Sequence, residues 1–284
     1  MHLLDMRYHV ISLVAVFLAL GIGILLGTTI VERGLVAEQK AQIKSLRSTF
    51  DEIKAKNADL NNQLDAYKKF AEQSKVYLNT GRLAGKSFAL LAKKDADGNA
   101  VAGITDAISS GGGVMPVTIT ISSTDAYKNP AVIANLNTLF GMQGDEQALR
   151  GRVYAELVHQ LQTADNTGIL ATLQQLGVIQ VRGVLSQPVD AALLLGPIQE
   201  GAMDKVDVPL LRSFVAIKFP LVGISGSSAN DSVMLTYKKN GISTIDHVDT
   251  VPGQVATVMV LQGTGGNFGT GSAAGRVVPV PLGQ

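Results

Sequence analysis

Val10-Ile-Ser-Leu-Val-Ala-Val-Phe-Leu-Ala-Leu-Gly-Ile-Gly-Ile-Leu-Leu-Gly-Thr-Thr-Ile30 holds no charged residue and passes almost without a break into a heptad repeat. An α-helix needs about 20 apolar residues to cross roughly 30 Å of hydrocarbon, so the run predicts a transmembrane helix and not a core helix. The next residues, to about Leu78, read as a stalk, and the rest of the chain is expected on one side of a membrane. A cleaved signal peptide would carry a shorter apolar run and an Ala-x-Ala site behind it. Neither is present, and the run is read as a retained anchor.

Only Arg7 and the α-amino group flank the anchor on its N-terminal side, whereas Arg33, Lys40, Lys44 and Arg47 lie beyond it. Charge counting alone would place the C-terminal part inside. A very short N-terminus, no preceding helix and a cysteine-free body suit a signal anchor that exports the C-terminal part, so the expected orientation is N-terminus in and C-terminal domain out. Within the span, Ala15, Ala19, Gly23 and Gly27 recur every fourth residue, a stripe that lets two helix backbones approach closely in the membrane.

Beyond Gly34 the heptad places Val36, Ile43, Phe50, Asn57, Leu64, Ala71 and Leu78 at a, with Leu46, Ile53, Leu60 and Tyr67 at d and the weaker Gln39 and Ser74 at its ends. A coiled coil on this seam would be roughly 60 Å long. Asn57 is the kind of buried polar residue that fixes register and a two-stranded parallel state. The e and g positions carry Lys40, Arg47, Lys54, Lys56, Lys68 and Lys75 and no acid, so a homodimer gains no interhelical salt bridge there. Either the apolar seam suffices for a homodimer, or a second protein with acidic flanks competes for it.

After the stalk the reading is α/β. Lys86–Ala92 is a strand, Asn99 caps a helix bearing Val101, Ile104 and Ile108, Gly111-Gly112-Gly113 ends it, and Val117, Ile119 and Ile121 alternate with Thr118 and Thr120 in a second strand. Residues 125–180 read as mostly helical. Next come a strand at Ala191–Leu195, a helix at Pro209–Ile217 and a strand at Leu221–Ile224, then strand-like pieces at Ser232–Tyr237 and Ile242–Ile245 and a last helix at Gln254–Leu261. The alternation predicts a Rossmann-like, largely parallel sheet covered on both faces. The expected division is a short cytoplasmic N-terminus (1–9), a transmembrane helix (10–30), a coiled coil (31–80), an extracytoplasmic α/β domain (81–262) and a flexible Gly-, Ser- and Pro-rich tail (263–284).

With 24 basic against 23 acidic residues among 284, the net charge of +1 offers no footprint for nucleic acid. Cysteine and tryptophan are absent, which removes disulfides, thiolate metal sites and cysteine nucleophiles and leaves few stacking platforms. Gly223-Ile-Ser225-Gly226-Ser227 lacks the final glycine of a nucleophile elbow, and Gly263-Thr-Gly265-Gly266-Asn-Phe comes after a helix where a dinucleotide loop comes after a strand. Asp95-Ala-Asp97-Gly98-Asn99 has its glycine too early for an EF-hand and reads as a polar strand-to-helix turn. His247, in Ile245-Asp246-His247-Val248-Asp249, reads as a surface-loop histidine. His2, His9, His159 and His247 never fall at metal-ligand spacing, and the seven methionines are scattered, so no metal site or catalytic residue is assigned. Ligands of open parallel sheets sit at the carboxyl ends of strands. That rule brings Lys93, Lys94, Gly196, Gly223 and Ser225 to a candidate groove; loops without a ligand are the alternative reading.

Arg7-Tyr8-His9-Val10-Ile11-Ser12-Leu13-Val14-Ala15-Val16-Phe17-Leu18-Ala19-Leu20-Gly21-Ile22-Gly23, with Gly27, closely resembles the start of the actinobacterial MctB-type "copper transporter" family, in which the nearest kind is the corynebacterial SteB-like envelope protein. Ser243-Thr-Ile-Asp-His-Val-Asp-Thr-Val-Pro-Gly253 extends the resemblance to the C-terminal part. The resemblance implies an envelope protein. Mycobacterial members are described as keeping intracellular copper low, and SteB-like members act with a membrane partner, SteA, in cell-wall remodelling and cell separation. The residues weigh against a pore, which needs a barrel or several helices. The expectation is a non-enzymatic, single-pass, homodimeric scaffold in the plasma membrane with a SteA-like partner, without a cofactor. Copper transport or homeostasis is the alternative, and copper enters only through the family name.

Overall fold

In the computed structural model of the protein, residues 3–93, 96–122, 124–165, 167–196 and 208–280 are described, with the side chains of 3–5, 28–37, 124 and 125 left out. The chain forms two compact units, Met1–Lys68 and Lys69–Gln284. Lys94 of the candidate groove, Asp95 and the side chain of Val36 lie outside the described residues.

The first unit is helix alone. Helix α1 (Leu3–Asn79) runs for 77 residues without a proline, so nothing in its sequence removes a backbone donor from the i to i−4 ladder. Met6–Gly27 is long and apolar enough to cross a membrane. All its side chains, Ala15, Ala19, Gly23 and Gly27 included, are exposed. Farther along, Ile43, Leu46, Phe50, Ile53, Leu60, Leu64 and Tyr67 are between 49% and 70% exposed, and Asn57 is exposed with them.

The second unit begins with the last turns of α1, which stop where Gly81 turns the chain at φ +74°. Its α/β body contains β1 (Ser87–Lys93), α2 (Gly98–Ser110), β2 (Val114–Ile121), a 3₁₀ turn (Thr124–Lys128), α3 (Pro130–Phe140), α4 (Glu146–Thr163), α5 (Ile169–Gln175) and β3 (Ile179–Gly183). The chain continues through β4 (Ala191–Leu195), α6 (Val208–Ile217), β5 (Leu221–Ile224), α7 (Asp231–Lys239), β6 (Ser243–Ile245), α8 (Val251–Leu261) and β7 (Asn267–Phe268). The strands form one sheet in the order β3-β2-β1-β4-β5-β6-β7, parallel except for β3, which runs antiparallel to β2.

The strands are apolar on both sides because both faces are covered. On one face Phe88, Leu90, Leu193 and Ile224 pack with Ile104 and Ile108 of α2, with α8 and with Leu83. On the other Ala89, Leu91, Ile119 and Leu194 pack with Leu157 and Leu161 of α4, with Leu211 and Phe214 of α6 and with Tyr237 of α7. The alternation of Val117, Ile119 and Ile121 with half-buried Thr118 and Thr120 is met in β2.

Four expectations change. The cap of α2 is Asp97, whose carboxylate accepts from Asn99 N, so the capping residue lies two positions before Asn99. Ser232–Tyr237, whose β-branched and aromatic residues suggest a strand, is helical. Asn230 caps it through Ser232 N, Asp231 sits in the first turn and Lys238 and Lys239 in the last, which suits the helix dipole. The stretch 125–180 ends in β3, an edge strand whose Val181 N donates to Gln174 Oε1 at 2.8 Å. Finally, the segment 267–273 is not free: Asn267 and Phe268 add β7 to the sheet, and Phe268 and Ala273 are buried. Glycine-rich composition hid this, because only a few apolar side chains hold the segment.

Candidate functional site: the sheet rim and the base of the long helix

Lys93, Gly196, Gly223 and Ser225 lie in or next to the last residues of the parallel neighbours β1, β4 and β5. The structure does not open a groove at the two glycines. A Cβ on Gly223 would lie 2.3 Å from Tyr237 Cδ2, and one on Gly196 2.5 Å from Val233 Cγ1. Both glycines serve to let α7 lie close on the sheet. Ser225 is buried; its N–H donates to Ile245 O at 3.0 Å and its carbonyl accepts from Val248 N at 3.1 Å, so its backbone ties β5 to the β6–α8 loop. Lys93 is half-buried at the end of β1.

The rim above these strands is built by aspartates and serines on four loops. Asp97 accepts from Asn99 N at 2.9 Å and from Ser228 Oγ. The Ser228 hydroxyl is the main reason its carboxyl is held below the ordinary value; burial opposes this, and backbone donors from Asn99 and Ala100 add to it. Ser227 donates through N and Oγ to Asp249. Ser272 donates in the same double manner to Asp231. Asp246 is 3% exposed, accepts from Gly271 N at 2.9 Å and lies 2.9 Å from His247 Nδ1. Each carboxylate thus receives at least one donor from another loop, and the arrangement laces the rim together.

His247 is half-buried and left-handed at φ +49°, a conformation uncommon for L residues, among which asparagine, aspartate and histidine adopt it most often. Its carbonyl accepts from Thr250 N and Oγ1, and Gly253 leaves it room: a Cβ there would come 2.2 Å from that oxygen. His247 is therefore a turn residue held in place by the start of α8. Sequence reasoning had missed Ser227, Ser228, Asp231 and Ser272, whose pairing across long separations has no local signal.

A second cluster lies at the base of α1. Lys75 Nζ donates to Asp106 Oδ2 of α2 at 2.9 Å and to Gln254 Oε1 of α8 at 3.0 Å, and pairs with Glu72 at 3.0 Å. Burial alone would lower its pKa, but hydrogen bonds and charge from Asp106 and Glu72 outweigh that and raise it. Asn79, wholly buried, donates to Ser110 Oγ, and Arg82 and Gln262 exchange hydrogen bonds. Beside this clasp a cavity of about 470 Å³ is lined by Asn99, Gly103, Asp106, Asp249 and Gln254. Another, of about 390 Å³, lies at the opposite edge of the sheet between Lys86, Asp190, Ser243 and Gln262.

Among the described residues, no group of three or more His, Asp or Glu is placed to hold a metal ion. Met234 is buried in one core, with Met142 packed against it, and Met115 packs against the other, whereas Met6 is exposed.

The fold defines a mixed α/β protein with a mostly parallel seven-stranded sheet and an N-terminal helix of membrane-crossing length and composition. The family model described as "Copper transport outer membrane protein, MctB" matches residues 3–279, and the chain belongs to this family. The proteins named Copper transporter MctB from Mycobacterium bovis and from Mycobacterium tuberculosis strain H37Rv are each 23% identical over 308 aligned residues, covering 96% of this chain and 98% of theirs.

Proposed function

We propose that this chain is a membrane-anchored envelope protein of copper homeostasis that works by assembly and not as a conduit or an enzyme. The observation that carries the reading is the family match over residues 3–279, with relatives that bear the copper-transporter name. Conduction is set aside on physical grounds. Hydrocarbon tolerates only helices or closed barrels, and one helix encloses no path. The described part of the chain offers a single such helix, Met6–Gly27, and a sheet whose faces are filled by its own helices. The helix anchors the chain in the plasma membrane with the N-terminus inside and the α/β body outside, and the heptad seam pairs two copies in a coiled coil. Copper is then handled by a complex that this protein organises, with a second membrane protein supplying the path.

The relatives' names speak of copper and not of cell separation, so the SteB-like role ranks behind this one. The test is the copper content of cells lacking the protein, grown in added copper, against cells carrying the full chain. Accumulation rescued by the full chain supports the reading. Unchanged copper together with unseparated daughter cells overturns it in favour of wall remodelling. Stoichiometric Cu(I) binding by the purified full chain in detergent, in a competition titration, would overturn the claim that it acts without a copper site of its own.

A further inference from the structure

We infer that the heptad seam has two occupants: a second copy of this chain over Ile43–Tyr67, and the protein's own α2 and α8 over Ala71–Leu78. This rests on the proposed coiled coil and adds where the coil stops. The seam residues Ile43, Leu46, Phe50, Ile53, Leu60, Leu64 and Tyr67 are about half exposed or more. At the next positions of the same repeat, Ala71, Ser74 and Leu78 are half-buried. They share the helix face of Lys75 and Asn79, which reach Asp106 and Gln254 and Ser110. A face already seated on its own domain is closed to a second helix.

The register admits a second copy as occupant of the open part. Because the apolar window and the seam belong to one helix, two copies in one membrane lie parallel. A parallel pair sets each g residue against the e residue five positions on in its partner. Here those pairs are Gln42 with Arg47, Thr49 with Lys54, Lys56 with Asn61 and Gln63 with Lys68, so no two cations oppose each other. Asn57 meets its own counterpart, which satisfies a polar a position at a fixed register. Phe70 and Tyr77, at g, are 70% and 85% exposed and flank the end of the coil.

The chain has no cysteine, so single-cysteine variants of the full protein in native membranes report each position separately. With a short bifunctional thiol reagent, Ile53→Cys and Leu60→Cys are expected to link two copies at least tenfold faster than Ala71→Cys and Leu78→Cys. Alkylation of the detergent-solubilised variants supplies the second measurement. Dilution should unshield positions 53 and 60 and leave 71 and 78 shielded. Equal cross-linking at all four positions overturns the division while leaving the coil intact. Shielding at 53 and 60 without links between copies assigns the seam to a different protein. Links at none of the four, with 53 and 60 fully reactive, overturn the coil itself.

Discussion

At Gly223 a missing Cβ decides how close a helix can lie. The ring of Tyr237 would stand 2.3 Å from a methyl there, well inside contact distance, and Tyr237 is fully buried. Gly223→Ala should therefore destabilise the body by about 1–3 kcal/mol through overpacking, read as a lower midpoint in denaturant unfolding. An unshifted midpoint would show that α7 can move away freely. Asp97 shows the electrostatic counterpart. Its carboxyl is held below its ordinary 3.8, mainly by the Ser228 hydroxyl. A carboxyl with a depressed folded value adds stability at pH above the ordinary value and loses it as pH falls through the folded one. Ser228→Ala removes the main donor, so the gap closes. The variant should be less stable near neutrality and should lose less on going below about pH 4, as thermal melts across pH would show.

Among the elements, α1 was the most legible, because a charge-free run and a seven-residue repeat are periodic signals that need no knowledge of the rest of the chain. The strands β1, β4 and β5 were nearly as plain, being short apolar runs bounded by polar or glycine residues. What could not be read was where one periodicity gives way to a tertiary contact. Nothing in the heptad announces that Lys75 turns to Asp106 and Gln254, residues distant in sequence. Likewise α7 looked like a strand because its helical signals, Asn230, Asp231 and the terminal lysines, lie at its ends and not in its middle. The open part of α1 has its own test. With Lys40, Arg47, Lys54, Lys56 and Lys68 beside the seam and no acid among the e and g positions, the two helices of a dimer carry like rows of charge. Salt screens such rows, so the homodimer of the detergent-solubilised chain should tighten as salt rises. Sedimentation showing weaker association at high salt would point to attractive flanks, hence to another partner.

At the scale of the whole molecule, the C-terminal segment turns a sheet with loose loops into a tied rim. The candidate groove was legible only as a set of strand ends. The aspartates that lie over it come from three loops and take donors that include Gly271 and Ser272 of a fourth, far along the chain. Phe268 closes the edge of β6, and Gly269 passes so near Asp246 that a Cβ there would overlap its carboxylate. A chain ending at Gln262 would leave Asp246, 3% exposed in the intact protein, without the Gly271 donor, and would uncover the face that Phe268 buries. Losing a hydrogen bond to a charged group costs about 1.5–3 kcal/mol, and exposing a buried phenylalanine side chain about 1.5–3 kcal/mol more. The truncated protein should therefore melt well below the full chain, with hydrogen exchange rising first in β6 and the Asp246–Thr250 turn. If both melt together and β6 keeps its protection, the segment is an ornament of the rim and not its fastening.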